Sequence, residues 1–268
     1  MQRRSFIQKI SLFSAPLLVS PTINFGKLAF PNSPQLKFIT ASDGHWGQPN
    51  TDYEGSHRQL IEAVNREKDV DFVVLNGDLI HDIPSLLPEV RNIYNQFQVP
   101  FYVTRGNHDR VDEETFKNVM GQSTNFSFVV KKDFGVVLLD SSNQEGKYLC
   151  VNLNKVQSTL EQFANLAQVF IFVHISQNDW TRYGVECPEF LHLIASFPNV
   201  KATFHGHDHD VDGMMVYKKK PFFWSGHFGG SWGNPFSCYR VCEVGSDGKA
   251  ITYLKTVKDG TILNSHTL

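Results

Sequence analysis

An α/β/β/α sandwich, two packed mixed β-sheets with helices on their outer faces, is the fold class that the sequence predicts. Three observations carry it. From Leu36 to Thr104, apolar strand-like runs alternate with amphipathic stretches, the βαβα order of a parallel sheet with right-handed crossovers. The last third of the chain turns β-rich and reads as a second sheet. Aromatic residues make up 13% of the chain, 22 of them Phe, which suits tightly packed sheets. The 268 residues are 41% hydrophobic and 19% charged, enough for one sizeable core, and they show no internal repeat.

Residues 1–35 read apart from residues 36–268, which form the single folded domain. Arg3-Arg4-Ser5-Phe6-Ile7 and Lys9 precede a short apolar run from Ile10 to Val19. A charged start followed by such a run is a secretory leader, too short to span a bilayer stably. The arginine pair resembles the bacterial twin-arginine export signal, with the lysine one place later than usual. That resemblance implies a protein exported to the periplasm or the medium after folding. Pro21 to Pro34 reads as a linker.

Within the domain, Leu36 to Ala41 is a first strand and Ser56 to Lys68 a helix with Leu60, Ile61 and Val64 on one face. Asp71 to Leu75 is a buried strand. Ser85 to Gln98 is a second helix, with Pro88 tolerable in its first turn. Pro100 to Thr104 is a third strand. Phe126 to Val130 and Val136 to Asp140 pair antiparallel about Lys131-Lys132-Asp133. Leu153 to Ala164 is helical, Val169 to Val173 a strand, and Pro188 to Phe197 a helix that opens on proline. Val200 to Phe204 is a strand, and four more follow at Gly213–Tyr217, Phe222–Trp224, Tyr239–Val244 and Ile251–Val257.

The polar residues sit where the strands stop. The first strand runs into Asp43-Gly44-His45, the second into Gly77-Asp78 and the third into Gly106-Asn107-His108-Asp109. A later strand stops at His174, and another runs into His205-Gly206-His207-Asp208-His209-Asp210. Parallel strands bring their carboxyl ends to one edge, where open α/β sheets place their sites. Imidazole and carboxylate are the ligands of borderline divalent metals, and packing so many together is costly unless something binds there.

These five motifs in order resemble the calcineurin-like metallophosphoesterase superfamily, and the resemblance covers most of the domain. It implies an enzyme, a phosphoric ester hydrolase with a dinuclear centre of divalent or trivalent ions (Fe, Mn or Zn class). Asp43, His45 and His209 would bind the first ion, and Asn107, His174 and His207 the second. Asp78 would bridge them. Two ions about 3.5–4 Å apart repel, and a shared carboxylate offsets that repulsion. The resemblance further implies a metal-bridging hydroxide that attacks phosphorus in line, with His108 protonating the leaving group. Asp109 is expected to orient His108, as carboxylates do for imidazoles.

Several functions compete within and beyond this reading. His81 stands three residues after Asp78, where the purple acid phosphatase branch carries a metal-binding tyrosine. That tyrosine is absent here, and the motif pattern without it leans the reading toward phosphodiesterases, with phosphomonoesterases as the alternative. A nuclease is disfavoured, because the net charge of −2 and the lack of a basic stripe argue against a nucleic-acid partner. A silent binding scaffold is disfavoured because no ligand position is missing. The substrate is a small phosphate ester; the sequence is silent on oligomeric state. Asp208, Asp210, His81 and His205 are expected beside the ligands rather than among them, and His227 on the substrate rim or in a glycine-rich turn. His57 and His192 are expected to be ordinary helix residues. Cys238 and Cys242, about 13 Å apart on one strand, cannot bridge each other, and the pairing of Cys150 and Cys187 stays open.

Overall fold

The computed structural model describes residue 31 and residues 33–268; the leader and most of the linker lie outside the described residues. Twelve strands form two six-stranded sheets. The first holds β1 (Leu36–Ala41), β2 (Phe72–Asn76), β3 (Phe101–Thr104), β10 (Cys238–Val244), β11 (Ala250–Thr256) and β12 (Ile262–Thr267), in the order β12-β11-β10-β1-β2-β3. The second holds β4 (Phe126–Val130), β5 (Phe134–Leu139), β6 (Gln168–Val173), β7 (Val200–His205), β8 (Met214–Tyr217) and β9 (Lys220–Trp224), in the order β4-β5-β6-β7-β9-β8. Strands β1, β2 and β3 run parallel, as do β5, β6, β7 and β9.

Each central strand is apolar on both sides because both its faces are covered. On β1, Phe38 points to the space between the sheets, while Ile39 and Ala41 face helices α1 (Tyr53–Asn65) and α2 (Leu87–Tyr94). On β6, Phe170 and Phe172 point between the sheets, and Val169, Ile171 and Val173 face α4 (Leu153–Gln162) and α5 (Pro188–Ser196). Phenylalanine fills the middle layer: Phe38 meets Phe72, Phe170, Phe172 and Phe204 at centroid distances of 5.0–5.6 Å. The predicted sandwich is the observed one.

Two sequence expectations need correction. The β-rich last third does not make a sheet of its own. Strands β8 and β9 extend the sheet of β4–β7, while β10 pairs antiparallel with the open edge of β1 and brings β11 and β12 with it. Pairing satisfies the exposed edges of β1 and β7, which a separate sheet made of the last third would leave bare. The helix expected at 85–98 is shorter, a 3₁₀ turn at Pro84–Leu86 leading into α2.

Two elements were not anticipated. Helix α3 (Glu113–Met120) buries only Phe116 and Met120, too few for a visible periodicity, although Asp112 caps it by accepting from the Thr115 amide. Strand β12 is a polar edge. Cys150, just before α4, and Cys187, just before α5, form a disulfide, whereas Cys238 and Cys242 are buried free thiols. Among the described residues no helix is long and apolar enough to cross a membrane.

Candidate metal centre

One amide gathers the strand ends. The Asn76 side chain, fully buried at the end of β2, donates to the Phe204 carbonyl of β7 (3.0 Å) and accepts from the Thr104 hydroxyl of β3 (2.8 Å). The Asn76 carbonyl accepts from Ser42 Oγ beyond β1 and from His174 Nδ1 beyond β6, both at 2.7 Å. Five strands from two sheets are thereby registered against one residue. Beyond them the backbone turns sharply: Asp43, His45, Asp78 and His207 all adopt positive φ, at 61°, 48°, 49° and 69°. Non-glycine residues hold that conformation only where the surroundings impose it.

The predicted residues converge in two groups. Ligand atoms of Asp43, His45 and His209 lie within 4.8 Å of one another, and so do those of Asp78, His174 and His207. In the first group His209 Nε2 is 3.2 Å from Asp43 Oδ1 and 3.0 Å from His45 Nε2. In the second, His174 Nε2 is 3.2 Å from Asp78 Oδ2. That same Asp78 oxygen lies 3.8 Å from His45 Nε2, so it faces both groups at once. The other oxygen, Oδ1, accepts from the His108 amide at 2.8 Å.

The donor set fits metal ions. Asn107 Oδ1 and His207 Nε2 are buried with no hydrogen-bond partner, and unpartnered buried polar atoms are rare unless something binds them. Burial lowers His45 to about 3 and His207 to about 4, which keeps both imidazoles neutral and able to ligate. Burial would also lower His174, but Asp78 and Asp43 beside it push it up to about 10. Burial would raise Asp43, yet His209 and His174 hold it down near 2. These opposed shifts are those of negative oxygens facing imidazoles in place of cations.

The structure brings His108 to the centre but not its expected partner. Asp109 is fully buried and turned away: Oδ1 accepts from the amides of Leu79 (2.7 Å) and Ile80 (3.0 Å), and Oδ2 from that of Gly106 (2.6 Å). It braces the loops after β2 and β3 and does not touch His108. The reason is local: three amides of the two turns converge on Asp109 and hold both its oxygens within those turns.

Asp82 stands there instead. Its Oδ1 accepts from His108 Nδ1 (3.1 Å) and from Arg110 Nε (2.6 Å), and its φ is 60°. Asp82 and Arg110 were missed by sequence reasoning; a carboxylate four residues after the bridging aspartate was the available signal. His81 stacks on His108 with centroids 5.0 Å apart and planes 11° apart, and its Nδ1 lies 3.0 Å from His45 Nδ1.

The remaining candidates fall outside the ligand groups. His205 is buried, donating from Nδ1 to the Val173 carbonyl. Asp208 accepts from Trp224 Nε1 at 3.1 Å. His227 lies within the 225–235 turn, bonding the Asn234 carbonyl (2.9 Å) and stacking on His209 at 4.9 Å. His57 is buried against Trp46 and Phe228.

Residues 36–211 match the profile of the family described as calcineurin-like phosphoesterase. A search of curated proteins by sequence returned no relative. Among solved structures, the chain resembles a dimetal phosphatase from Danio rerio, with 16% identity, 87% of this chain and 98% of that chain covered, and a TM-score of 0.69. It also resembles the purple acid phosphatase PPD1 of yellow lupin (13% identity, 89% and 54% covered, TM-score 0.63) and the sulfate thiohydrolase SoxB of Thermus thermophilus (12% identity, 89% and 57% covered, TM-score 0.54). At these identities the likeness is one of fold.

Proposed function

Because the chain belongs to the calcineurin-like phosphoesterase family, and is thus a metal-dependent hydrolase of phosphate esters, we propose that it cleaves phosphodiesters outside the cytoplasm. In this reading Asp43, His45 and His209 hold one ion, Asn107, His174 and His207 the other, and Asp78 both. When bound, such a pair polarises the phosphoryl group and acidifies water. The chain itself supplies the rest. Asp82 holds His108 by Nδ1, so Nε2 is free to carry a proton to the departing ester oxygen. The Asp78 carboxylate fixes the His108 amide, which ties the position of that acid to the bridging ligand.

The observation that carries the preference for diesters is the state of the two arginines that flank Asn107 and His108 in the loop after β3. A monoester dianion brings one more negative charge than a diester. Yet Arg105 is already engaged by Asp140 (2.6 Å) and Arg110 by Asp82 (2.6 Å). His81, in place of a phenol, keeps an imidazole beside the leaving-group side. The test is to reconstitute the protein with manganese or zinc and compare bis(p-nitrophenyl) phosphate with p-nitrophenyl phosphate. A higher kcat/KM for the diester is expected. The opposite ranking assigns a phosphomonoesterase, and no turnover with two metals bound assigns a scaffold.

Support for export comes from the Cys150–Cys187 bridge, since oxidising compartments preserve disulfides, and from the Arg3-Arg4 pair. Cell fractionation tests it: Arg3→Lys with Arg4→Lys is expected to leave the chain in the cytoplasm, and unaltered export would refute the twin-arginine route.

A further inference from the structure

Three aromatic rings stand apart from the rest of the described residues. Among the described residues only Tyr148 (41%), Tyr183 (47%) and Trp232 (44%) are largely exposed, and no phenylalanine is. They come from three different loops, after β5, β6 and β9. All three stand against imidazoles of the candidate metal centre. The Tyr148 ring is 4.7 Å from that of His207, and Tyr183 is 6.0 Å from the same ring. Trp232 lies 4.3 Å from His209 with the planes only 5° apart, and 4.9 Å from His45.

Exposed aromatic surface is costly to leave in water, and its concentration in one place marks a binding face. Trp232 is also held in place, because its carbonyl accepts from His209 Nδ1 (3.0 Å) while its ring stacks on that same imidazole. The indole is thereby fixed on the centre while much of it stays exposed. Between Trp232 and Tyr183 lies a cavity of about 480 Å³ lined by Trp180, Tyr183, His207, His209, Met215 and Trp232. That volume is in the range of small-molecule pockets. Arg182 reinforces the wall, its guanidinium 5.2 Å above the Tyr183 ring.

We propose that this aromatic rim binds a flat aromatic group carried by the phosphoester, so that the substrates are aryl or nucleoside phosphates rather than glycerol or sugar phosphates. The proposal rests on the phosphoester hydrolase reading and adds the substrate class. Flat rings have two π faces to offer, and stacking between protein aromatics is tolerant of ring identity. A saturated ring of equal size fills the same volume without that attraction.

The test compares four compounds as inhibitors of the manganese-loaded protein under initial-rate conditions, two phosphonates, which resist hydrolysis, and two 5-phosphate esters. Phenylphosphonate and cyclohexylphosphonate share size and charge and differ in flatness. Adenosine 5′-monophosphate and ribose 5-phosphate differ by a nucleobase. The flat member of each pair is expected to bind roughly tenfold or more tighter, within the range that stacking provides. Tyr183→Ala, and Trp232→Leu (which keeps bulk against His209), are expected to abolish that preference while two metals per chain remain bound. A gain confined to the first pair assigns a small aryl group, and a gain in both assigns a nucleobase; either supports the rim. Equal affinities within both pairs, or a preference that survives both substitutions, overturns it while leaving the hydrolase reading intact. Absence of binding by all four compounds together with absence of turnover overturns that reading as well.

Discussion

Gly106→Ala changes no ligand and should nevertheless empty the centre. A methyl group on Gly106 would lie 2.1 Å from the Asp78 amide nitrogen, 2.2 Å from Asp78 Oδ1 and 2.9 Å from its Cα. Ordinary contact for a Cβ begins at 3.4 Å, so the turn after β2 must retreat by about 1.3 Å. Two of the three atoms are backbone, so no rotamer change relieves the clash. Overpacking of this kind costs ~1–3 kcal/mol, which in a domain of this size lowers Tm by roughly 2–12 °C. The effect on metals is larger, because coordination distances tolerate only about 0.2 Å of error. Misplacing the supports of a ligand usually weakens binding ~10–100-fold. The assay is metal content after dialysis, with titration calorimetry for affinity and Tm with and without added manganese. Gly213→Ala, where a Cβ meets nothing within 4 Å, is the control and is expected to be neutral. A Gly106→Ala protein that binds two ions at wild-type affinity would refute the placement of Asp78 as the shared ligand.

Three further outcomes are expected. Asp82→Asn should slow hydrolysis of esters with poor leaving groups about tenfold or more while sparing activated aryl esters, with metal content unchanged, because it disturbs the imidazole that delivers the proton and no metal ligand; equal losses on both ester types would count against it. Burial lowers His57 to about 4, so it enters the fold neutral. Stability is then complete above pH ~6.5 and falls as the pH drops toward 4, by up to about 3 kcal/mol, because the unfolded chain binds the proton first; urea unfolding of His57→Phe should show a flatter pH profile, and parallel profiles would refute the assignment. The Cys150–Cys187 bridge spans a sequence separation of 37, so replacing both with serine should cost ~4 kcal/mol in denaturant unfolding, and the loss should vanish when both proteins are compared under reducing conditions.

Strand ends that carry Asp43, His45, Asp78, Asn107, His108, His207 and His209 were legible because local signals define them, an apolar run and then a polar motif containing glycine, while His174 was marked only by the end of its strand. The two sheets were legible from the doubly buried strands and the many phenylalanines. Pairing was not. Whether β8–β12 form a sheet or lengthen two existing ones depends on free edges far away in sequence, which no local pattern encodes. The exchange of Asp109 for Asp82 has the same origin. Adjacent residues point to different places once the chain enters a turn, and only the path of the β2 loop decides which carboxylate meets His108. Asn76 was invisible for a related reason, since its four partners come from four other segments.

Positive φ at Asp43, His45, Asp78 and His207 has an evolutionary consequence. Each such residue is held at a cost of order 1–3 kcal/mol, which glycine would not incur. A lineage that no longer needed hydrolysis would therefore gain stability by exchanging these side chains for glycine, one at a time, without disturbing the sheets behind them. Selection for activity and selection for a robust fold oppose each other at these four positions. Relatives that have drifted into purely structural roles are expected to betray it there first, by glycine where this chain keeps aspartate and histidine.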